Sequence, residues 1–312
     1  MSNQYQKDLS IIIVNWNTRD LLADCLGSVF KHLIDQFSYE VIVIDNASVD
    51  GSPDMVEEKF PQARLIKNDD NVGFVKANNQ GAKIANGRCL LLLNSDTVLL
   101  DGEMWKIIEY MDANQDVAVT TGRVLNPDLS FQRPFRRFPN WIGSIWRNTI
   151  RLVKGLKTRF HRRYMLEELD ENEEQEVDWV SGAYMFVRRD VLDNGHVFDE
   201  DIYMWFEDTL LCYSLRKAGY RVVYLPYAPI IHYKGKSAGK IPVKAAFNSF
   251  KGSTIYFQKV YGRPLARFYA TTVRLIWALF VLFFSILEFV PNEKIKKKAQ
   301  LFRRLIAMGP AI

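Results

Sequence analysis

Runs of apolar residues that end abruptly in short polar residues recur along the N-terminal half of the chain. Residues 90–93 are four consecutive leucines, and Asn94, Ser95 and Asp96 follow them directly. A continuous apolar run of this length is typical of a strand that is buried on both faces of a parallel sheet. Similar runs predict further strands at residues 9–14, 39–44 and 63–67.

Between these strands the spacing of apolar residues changes to the three- and four-residue period of an amphipathic helix. Ser52 followed by Pro53 predicts a short helix with Ser52 as its N-cap. A later segment predicts a helix that carries Asn78 and ends at Gly87. Strands that alternate with helices predict an α/β fold with a mainly parallel central sheet flanked by helices. The first helix is predicted from the spacing of Leu22, Cys25, Leu26, Val29, Phe30 and Leu33.

Each predicted strand ends in a polar residue. In open α/β sheets, ligands bind outside the carboxyl ends of the strands, so we interpret this edge as a nucleotide-sized crevice. A carboxylate such as that of Asp96 can hold a divalent cation against a diphosphate. Taken alone, Asp96 has the alternative role of capping the next helix. The polar residues at the strand ends are Asn15, Asp45, Asn68 and Asp96.

A second group of candidate residues follows in the C-terminal half. Residues 177–187 form a strand-like segment with a kink at Ser181 and Gly182. Glu207 and Asp208 start a helix whose apolar positions, Leu211 and Leu215, are predicted to face the core. Two acids next to two large aromatic residues would be costly to bury without a partner or a function.

Charge is unevenly distributed along the 312 residues, although the net charge is only +5. Residues 131–166 contain ten Arg or Lys and no acid, and residues 167–178 contain eight acids. Apolar residues at helical spacing between Ile142 and Phe160 indicate either a helix packed on the body or a basic surface that faces anionic lipid or a lipid-linked phosphate. No known nucleic-acid-binding module accompanies the basic tract, so we expect no nucleic-acid partner.

The cysteines indicate a reducing compartment. Cys25, Cys89 and Cys212 are odd in number, widely separated and set in apolar runs, without metal-ligand spacing. The short polar segment before the first strand does not resemble a signal peptide. We therefore expect the chain to act on the cytoplasmic side.

The C-terminal region has a different composition. Residues 275–287 are thirteen uncharged residues flanked by Arg274 and Glu288. A helix of that length is roughly 20 Å long, short of a bilayer core of about 30 Å. The basic amphipathic segment that follows suits an anionic membrane surface. We expect a helical region that associates with the membrane without spanning it; a buried interface in a homo-oligomer is the alternative.

Taken together, these segments resemble the family 2 glycosyltransferases of the GT-A fold, a Rossmann-like α/β fold. The most similar branch is that of the rhamnosyltransferases that build bacterial O-antigen and cell-wall glycans. The resemblance covers residues 9–235, and its motifs occur in the family's order, which makes it specific. It implies a GT-A domain at residues 1–240, with an insertion at 131–178, and a membrane-associating helical region at 241–312. The motifs are SIIIVNWN (10–17), VIDNASVDGS (43–52), NVGF (71–74) with ANNQG (77–81), LNSD (93–96), VSGA (180–183) and FED (206–208) through GY (219–220).

The resemblance implies which residues bind the donor. Asp45 would accept a hydrogen bond from the N3–H of a pyrimidine base, and Asn78 would lie near the ribose or the diphosphate. Asp96, at the last position of a DxD-like motif, and His232 would hold a divalent cation, Mg²⁺ or Mn²⁺. The implied nucleotide-sugar site comprises Val14, Asn15, Asp45, Asn46, Asn78, Ser95 and Asp96.

The resemblance also implies the reacting and acceptor-side residues. Asp208 matches the catalytic base of inverting members, and Glu207 beside it would have a structural or acceptor-positioning role. An inverting transferase needs one carboxylate to take the proton of the acceptor hydroxyl and one cation for the departing diphosphate. The acceptor side would comprise Trp179, Ser181, Gly182 and Trp205.

The implied function is transfer of a sugar, with rhamnose favoured, from a dTDP- or UDP-sugar to a lipid-linked or growing surface glycan. The sequence departs from the family pattern at Asn94, the first DxD position, and at Leu210, where an acid is common. These departures support an alternative, a catalytically inactive nucleotide-sugar-binding subunit of a glycan assembly complex. A sugar-1-phosphate nucleotidyltransferase would need a glycine-rich phosphate loop, yet residues 9–26 contain no glycine.

Overall fold

The computed structural model describes residues 5–33, 37–149, 159–233, 242–287 and 293–309. The chain forms two compact units. The first contains Met1–Phe138, Met165–Glu200 and Glu207–Ser237. The second contains Pro139–Tyr164, Asp201–Phe206 and Ala238–Ile312.

Strands and helices alternate in the first unit, as the apolar pattern predicts. The strands are β1 (Lys7–Asn15), β2 (Tyr39–Asp45), β3 (Arg64–Lys67), β4 (Gly87–Asn94), β5 (Thr97–Leu99), β6 (Val117–Thr121), β7 (Val124–Leu125), β8 (Phe135–Arg136), β9 (Gln175–Glu176), β10 (Trp179–Val180), β11 (Tyr184–Arg188), β12 (Arg221–Tyr224) and β13 (Ile230–His232). The helices of both units are α1 (Arg19–His32), α2 (Ser52–Lys59), α3 (Phe74–Ile84), α4 (Met104–Ala113), α5 (Trp141–Asn148), α6 (Arg159–Tyr164), α7 (Glu207–Lys217), α8 (Pro242–Tyr261), α9 (Arg263–Leu287) and α10 (Glu293–Ala307). Two short 3₁₀ helices occupy Arg189–Val191 and Asp193–Gly195.

An eight-stranded mixed sheet has the order β3-β2-β1-β4-β11-β6-β12-β9. Strands β3, β2, β1 and β4 are parallel, whereas β11 runs antiparallel to both β4 and β6. Small sheets formed by β8 with β10, and by β5, β13 and β7, complete the unit. The prediction of an α/β fold is confirmed: β6 and β12 are also parallel to each other, whereas β11 and β9 run antiparallel to their neighbours.

The parallel strands form the core. Ile12 lies opposite Ile42 and Leu92 on its two neighbours, and all three side chains are fully buried. Helix α3 covers them closely, because a Cβ on Gly81 would lie 2.5 Å from a methyl group of Ile12. The run of four leucines is therefore a central strand, as predicted, and its carboxyl end is at Asn94.

Several local predictions were wrong. The N-cap of α2 is Gly51, with φ of +79°, a left-handed conformation that glycine adopts without strain. Gly87 does not end a helix but begins β4, where a Cβ would lie 2.7 Å from the Leu9 carbonyl carbon. Leu211 is only half-buried, because α7 turns Leu210 toward the core instead.

The second unit is a group of helices. Trp277 on α9 is fully buried, with its ring centroid 4.8 Å from that of Phe250 on α8. Its indole N–H donates to the carbonyl oxygen of Asn148 at the end of α5 (2.8 Å), and the Asn148 amide donates to the Tyr269 hydroxyl (2.8 Å). Helix α5 is thereby attached to the C-terminal helices.

The unit boundaries differ from the predicted domains. The prediction placed residues 131–178 as an insertion in a first domain that ended at 240. In the structure, residues 139–164 and 201–206 cluster with the chain after residue 237. The physical reason is the packing of α5 on α8 and α9. Residues 150–158 of the helix predicted between Ile142 and Phe160, and Glu288 after the apolar run, lie outside the described residues.

Helix α9 is longer than the uncharged run suggests. It has 25 residues, which corresponds to about 37 Å, and it is the one helix in the described ranges with the length and composition to cross a membrane. Arg274 within this helix is half-buried, and its guanidinium donates to the carbonyl oxygen of Gly309. The prediction that this region does not span the membrane stays a prediction.

Candidate active site

A chain of hydrogen bonds runs along the carboxyl ends of β4, β1 and β2. The Asn15 amide donates to Asp45 Oδ1 (2.8 Å), and Thr18 Oγ1 donates to Asn15 Oδ1 (2.6 Å). Thr18 has only one hydroxyl proton, so the 2.9 Å contact between Ser95 Oγ and Thr18 Oγ1 has Ser95 as its donor. The predicted residues Asn15, Asp45 and Ser95 are therefore brought together. Thr18, which links them, was missed because its partner Ser95 is 77 residues away in sequence.

The loops after β1 and β2 are joined by Ser48. Its hydroxyl accepts from the backbone N–H of Asn17 (2.9 Å), and its own N–H donates to Asp45 Oδ2 (2.8 Å). Asp45 is buried, and its Oδ1 accepts from Asn15 while its Oδ2 accepts from Ser48. A carboxylate oxygen has two lone pairs, so Asp45 can still accept a hydrogen bond from a ligand N–H. Val14, the other predicted residue here, is half-buried between Ile44 and Asn94.

Two further residues of the predicted nucleotide-sugar site make hydrogen bonds at the start of α3. Asn46 donates to the carbonyl oxygen of Gly73 (3.4 Å) and accepts from the Asn68 amide (2.9 Å). Asn78 is buried, and its amide donates to the carbonyl oxygen of Phe74 one turn earlier (2.9 Å). Their proposed contacts with the nucleotide stay predictions.

Asn79 has a role that the sequence did not reveal. Its amide donates to the carbonyl oxygen of Phe198 (2.9 Å), while its oxygen accepts from the N–H groups of Val197 (3.1 Å) and Phe198 (2.9 Å). A buried asparagine thus fixes the loop at residues 197–198 to α3. The partners are 119 residues apart in sequence, so no local pattern could have indicated the contact.

Asp96 and His232 lie next to each other. His232 Nε2 is 3.3 Å from Asp96 Oδ1, and both residues are buried. Antiparallel pairing of β13 with β5 places His232 opposite Thr97, and the Tyr233 N–H donates to the Asp96 carbonyl oxygen (2.9 Å). An imidazole nitrogen and a carboxylate oxygen are ordinary ligands of divalent cations. Within the described residues they are not part of any group of three or more His, Cys, Asp or Glu arranged to hold a metal.

Asp208 lies at the start of α7 and faces the kink between β10 and β11. Its Oδ2 accepts from the N–H of Gly182 (3.2 Å), and its Oδ1 accepts from the N–H of Thr209 (2.7 Å). Burial raises the pKa of the Asp208 carboxyl, while these two N–H groups and the charge of Arg136 act in the opposite direction. Glu207 beside it is also buried. The structure therefore brings the predicted Gly182 and Asp208 together.

Strand β8 adds Arg136 to this region. Arg136 pairs with Trp179 across the two strands, and its guanidinium lies 5.1 Å from the centre of the indole ring. Trp179 is buried and donates its indole N–H to the carbonyl oxygen of Arg137 (2.8 Å). The sequence placed Arg136 in a general basic tract, because the influence of its charge on Asp208 depends on strand pairing.

The remaining acceptor-side residues are divided between the units. Ser181 donates its N–H to the carbonyl oxygen of Pro134 (2.8 Å), which fixes the kink against the segment before β8. Trp205 belongs to the second unit and has a φ of +65°. The acceptor-side roles of Ser181 and Trp205 stay predictions.

The family model that describes glycosyl transferase family 2 matches residues 10–195. That is more than half of the chain. The chain belongs to glycosyl transferase family 2. The matched residues include the strand ends and Gly182, whereas Asp208 and His232 lie beyond them.

Related proteins agree with this assignment. The N-acetylglucosaminyl-diphospho-decaprenol L-rhamnosyltransferase of Mycobacterium tuberculosis is 26% identical over 262 residues, which are 80% of this chain and 83% of that protein. A mannosyltransferase of Pyrobaculum calidifontis, solved with GDP-Man and Mn²⁺, has a TM-score of 0.57 at 14% identity and covers 98% of this chain and 86% of its own. GalNAc-T7, solved with UDP, GalNAc and Mn²⁺, has a TM-score of 0.56 at 16% identity over 81% of this chain and 48% of its own. This glycosyltransferase therefore has the GT-A fold.

Replacement of Arg136 by Met should raise the pKa of Asp208. The positive charge of Arg136 lowers that pKa in the native protein, and its removal leaves the effect of burial less opposed. The pKa is measured from the pH dependence of the Asp208 carboxyl ¹³C chemical shift. Arg137→Met is the matched control, since the Arg137 side chain pairs with Glu168. An unchanged Asp208 pKa in Arg136→Met would show that Arg136 has no influence on the carboxyl.

Proposed function

We propose that this glycosyltransferase is an inverting, metal-dependent enzyme that transfers a sugar, with rhamnose favoured, from a dTDP- or UDP-sugar to a lipid-linked glycan. The donor sugar and acceptor class are supported by the rhamnosyltransferase relative, whose name includes a diphospho-decaprenol acceptor. The dependence on a cation is supported by the Asp96–His232 pair. The proposed general base is Asp208.

The observation that carries the proposal is the hydrogen bond from the Asn94 N–H to the Ala183 carbonyl oxygen (3.0 Å). Asn94 immediately precedes Ser95 and Asp96, and Ala183 immediately follows Gly182, which donates to Asp208. This bond therefore places the turn that carries the proposed cation ligand beside the turn that holds the proposed base. A donor diphosphate at the first turn would leave its sugar near Asp208.

The residues fit the proposed chemistry. As the acceptor oxygen bonds to the anomeric carbon, the bond from that carbon to the diphosphate breaks, and Asp208 takes the acceptor's proton. A buried carboxyl with a raised pKa is a better proton acceptor than an exposed aspartate, provided that it is ionised at the working pH. Asp96 and His232 would hold the cation, which, when bound, neutralises charge that develops on the leaving diphosphate.

Replacement of Asp208 by Asn should abolish most of the transfer activity. The amide keeps the shape of the carboxylate but cannot take a proton, and general-base catalysis contributes about 10²–10⁴-fold. Binding of the donor should change little, because Asp208 acts only in the transition state. Glycosyl transfer, donor affinity and melting temperature are measured on one preparation, with the exposed Asp190→Asn as the control.

The activity of Asp208→Asn distinguishes a catalytic base from a helix cap, and the activity of the native protein distinguishes an enzyme from an inactive binding subunit. Loss of a helix cap alone would cost roughly 1 kcal/mol of stability and leave turnover nearly intact. An active Asp208→Asn enzyme would remove Asp208 as the base and make Glu207 the next candidate. A native protein that binds the nucleotide sugar but transfers nothing would favour the inactive binding subunit, for which Asn94 and the buried Leu210 are the supporting observations.

We propose further that the second unit attaches to the cytoplasmic face of the membrane. One face of α9 is an apolar stripe whose six large side chains are 55–63% exposed. Only 22% of the most apolar part of α9 is buried, so this helix is unlike the core helix of a soluble protein. Exposed Lys296, Lys297 and Arg303 on α10 would favour anionic lipid. The stripe consists of Phe268, Leu275, Leu279, Leu282, Phe283 and Ile286.

Replacement of Leu275, Leu279 and Leu282 together by Gln should release the protein from vesicles that contain phosphatidylglycerol. Burial of one leucine is worth about 1.5–3 kcal/mol, so binding should fall at least tenfold. Co-sedimentation measures the bound fraction, and the exposed Val49→Gln is the control. A triple variant that still binds vesicles but loses a native dimer would identify the stripe as an oligomer interface. Labelling of a cysteine at residue 286 from the outer face would instead show that α9 spans the membrane.

A further inference from the structure

The backbone of Gln132 is hydrogen-bonded to β7, and β7 pairs with β13, the strand that ends at His232. Its N–H donates to the carbonyl oxygen of Val124 (2.9 Å), and Leu125 forms a bridge with Phe131. Val124 in β7 pairs in parallel with Ile230 in β13, the strand that ends at His232. A residue 100 positions earlier in the sequence is thus placed against the proposed cation ligand.

The orientation of the Gln132 amide follows from an unambiguous partner. Its Nε2 lies 3.0 Å from the carbonyl oxygen of His232 and 2.9 Å from Asn126 Oδ1. A backbone carbonyl oxygen can only accept, so the atom that faces it must be the amide nitrogen. Gln132 Oε1 then faces His232 Nδ1 at 2.8 Å. An amide oxygen cannot donate, and therefore Nδ1 of His232 carries the proton.

A proton on Nδ1 leaves Nε2 of His232 free to act as a cation ligand. A neutral imidazole has one N–H, so a proton on Nδ1 leaves the lone pair on Nε2. Nε2 is the atom that lies 3.3 Å from Asp96 Oδ1. Two facing lone pairs at that distance suit a cation between them. Ligating histidines characteristically donate their second N–H to a fixed acceptor, which orients the ring.

We propose that Gln132 is a positioning residue that selects the Nδ1–H tautomer of His232 and directs Nε2 toward the cation held with Asp96. The inference rests on the proposed metal dependence and adds a specific residue to it. Asn126 supports Gln132 in turn, because its amide donates to Ser130 Oγ (2.9 Å) while its oxygen accepts from Gln132. The turn at residues 126–130 thereby becomes part of the support for the site.

The test compares Gln132→Met, which removes the acceptor for Nδ1–H, with Gln132→Glu, which keeps it. Affinity for Mn²⁺ is measured by electron paramagnetic resonance of free Mn²⁺ in the presence of UDP. We expect a loss of about 10–100-fold in Gln132→Met. The loss in Gln132→Glu should be smaller, because Glu keeps the acceptor for Nδ1–H and loses only the N–H that faces the carbonyl oxygen of His232 and Asn126 Oδ1. The exposed Gln115→Met is the matched control and should bind Mn²⁺ like the native protein. A Gln132→Met variant with native Mn²⁺ affinity would overturn the proposal.

A spectroscopic measurement separates this inference from the proposed metal dependence. The chain has four histidines, so ¹⁵N spectra of the metal-free protein report the tautomer of His232 directly. We expect a protonated Nδ1 and an unprotonated Nε2 at pH 8 in the native protein, and a mixture of tautomers in Gln132→Met. A proton on Nε2 in the native protein would overturn the role of Gln132. A native protein with the expected tautomer but without Mn²⁺ affinity would instead refute the proposed metal dependence.

Discussion

The pairing of β4 on both sides is the constraint on which the site depends. On one side β4 pairs in parallel with β1, so that the carboxyl ends of β4, β1 and β2 form one polar edge. On its other side β4 pairs antiparallel with β11, so that the residues before β11 lie at the same edge. A fully parallel sheet would have placed the turn at Gly182 at the opposite end of β4. The reversal at β11 is what brings the proposed base to the proposed donor site.

The two candidate acids at this edge have different surroundings, and these surroundings suit different functions. Asp96 faces an imidazole nitrogen, and Asp208 faces backbone N–H groups and a nearby arginine. The first arrangement provides a cation with one carboxylate oxygen and one imidazole nitrogen as ligands. The second holds a single carboxylate with its oxygens directed toward the kink at Gly182. Environment, more than residue type, therefore distinguishes the proposed ligand from the proposed base.

The sequence was sufficient for the elements whose signal is local. Four consecutive leucines predict a doubly buried strand, and polar residues after successive strands predict one edge, since both follow from chain geometry. The residues that were missed, Thr18, Asn79, Gln132 and Arg136, act through partners that only strand pairing or helix packing supplies. The pair of Asp96 and His232 was found only through the resemblance to a family, because β5 and β13 are distant in sequence. Helix α5 clusters with the C-terminal helices, and its apolar spacing alone does not reveal which surface it covers.

Diffraction from crystals soaked with UDP and Mn²⁺, collected at a wavelength where manganese scatters anomalously, would locate the proposed cation and diphosphate. The account predicts an anomalous peak within about 2.5 Å of both Asp96 Oδ1 and His232 Nε2, with the diphosphate bound to the same ion. It also predicts that the uracil N3–H points at Asp45. A diphosphate that is bound with manganese elsewhere, or bound without manganese, would contradict the account.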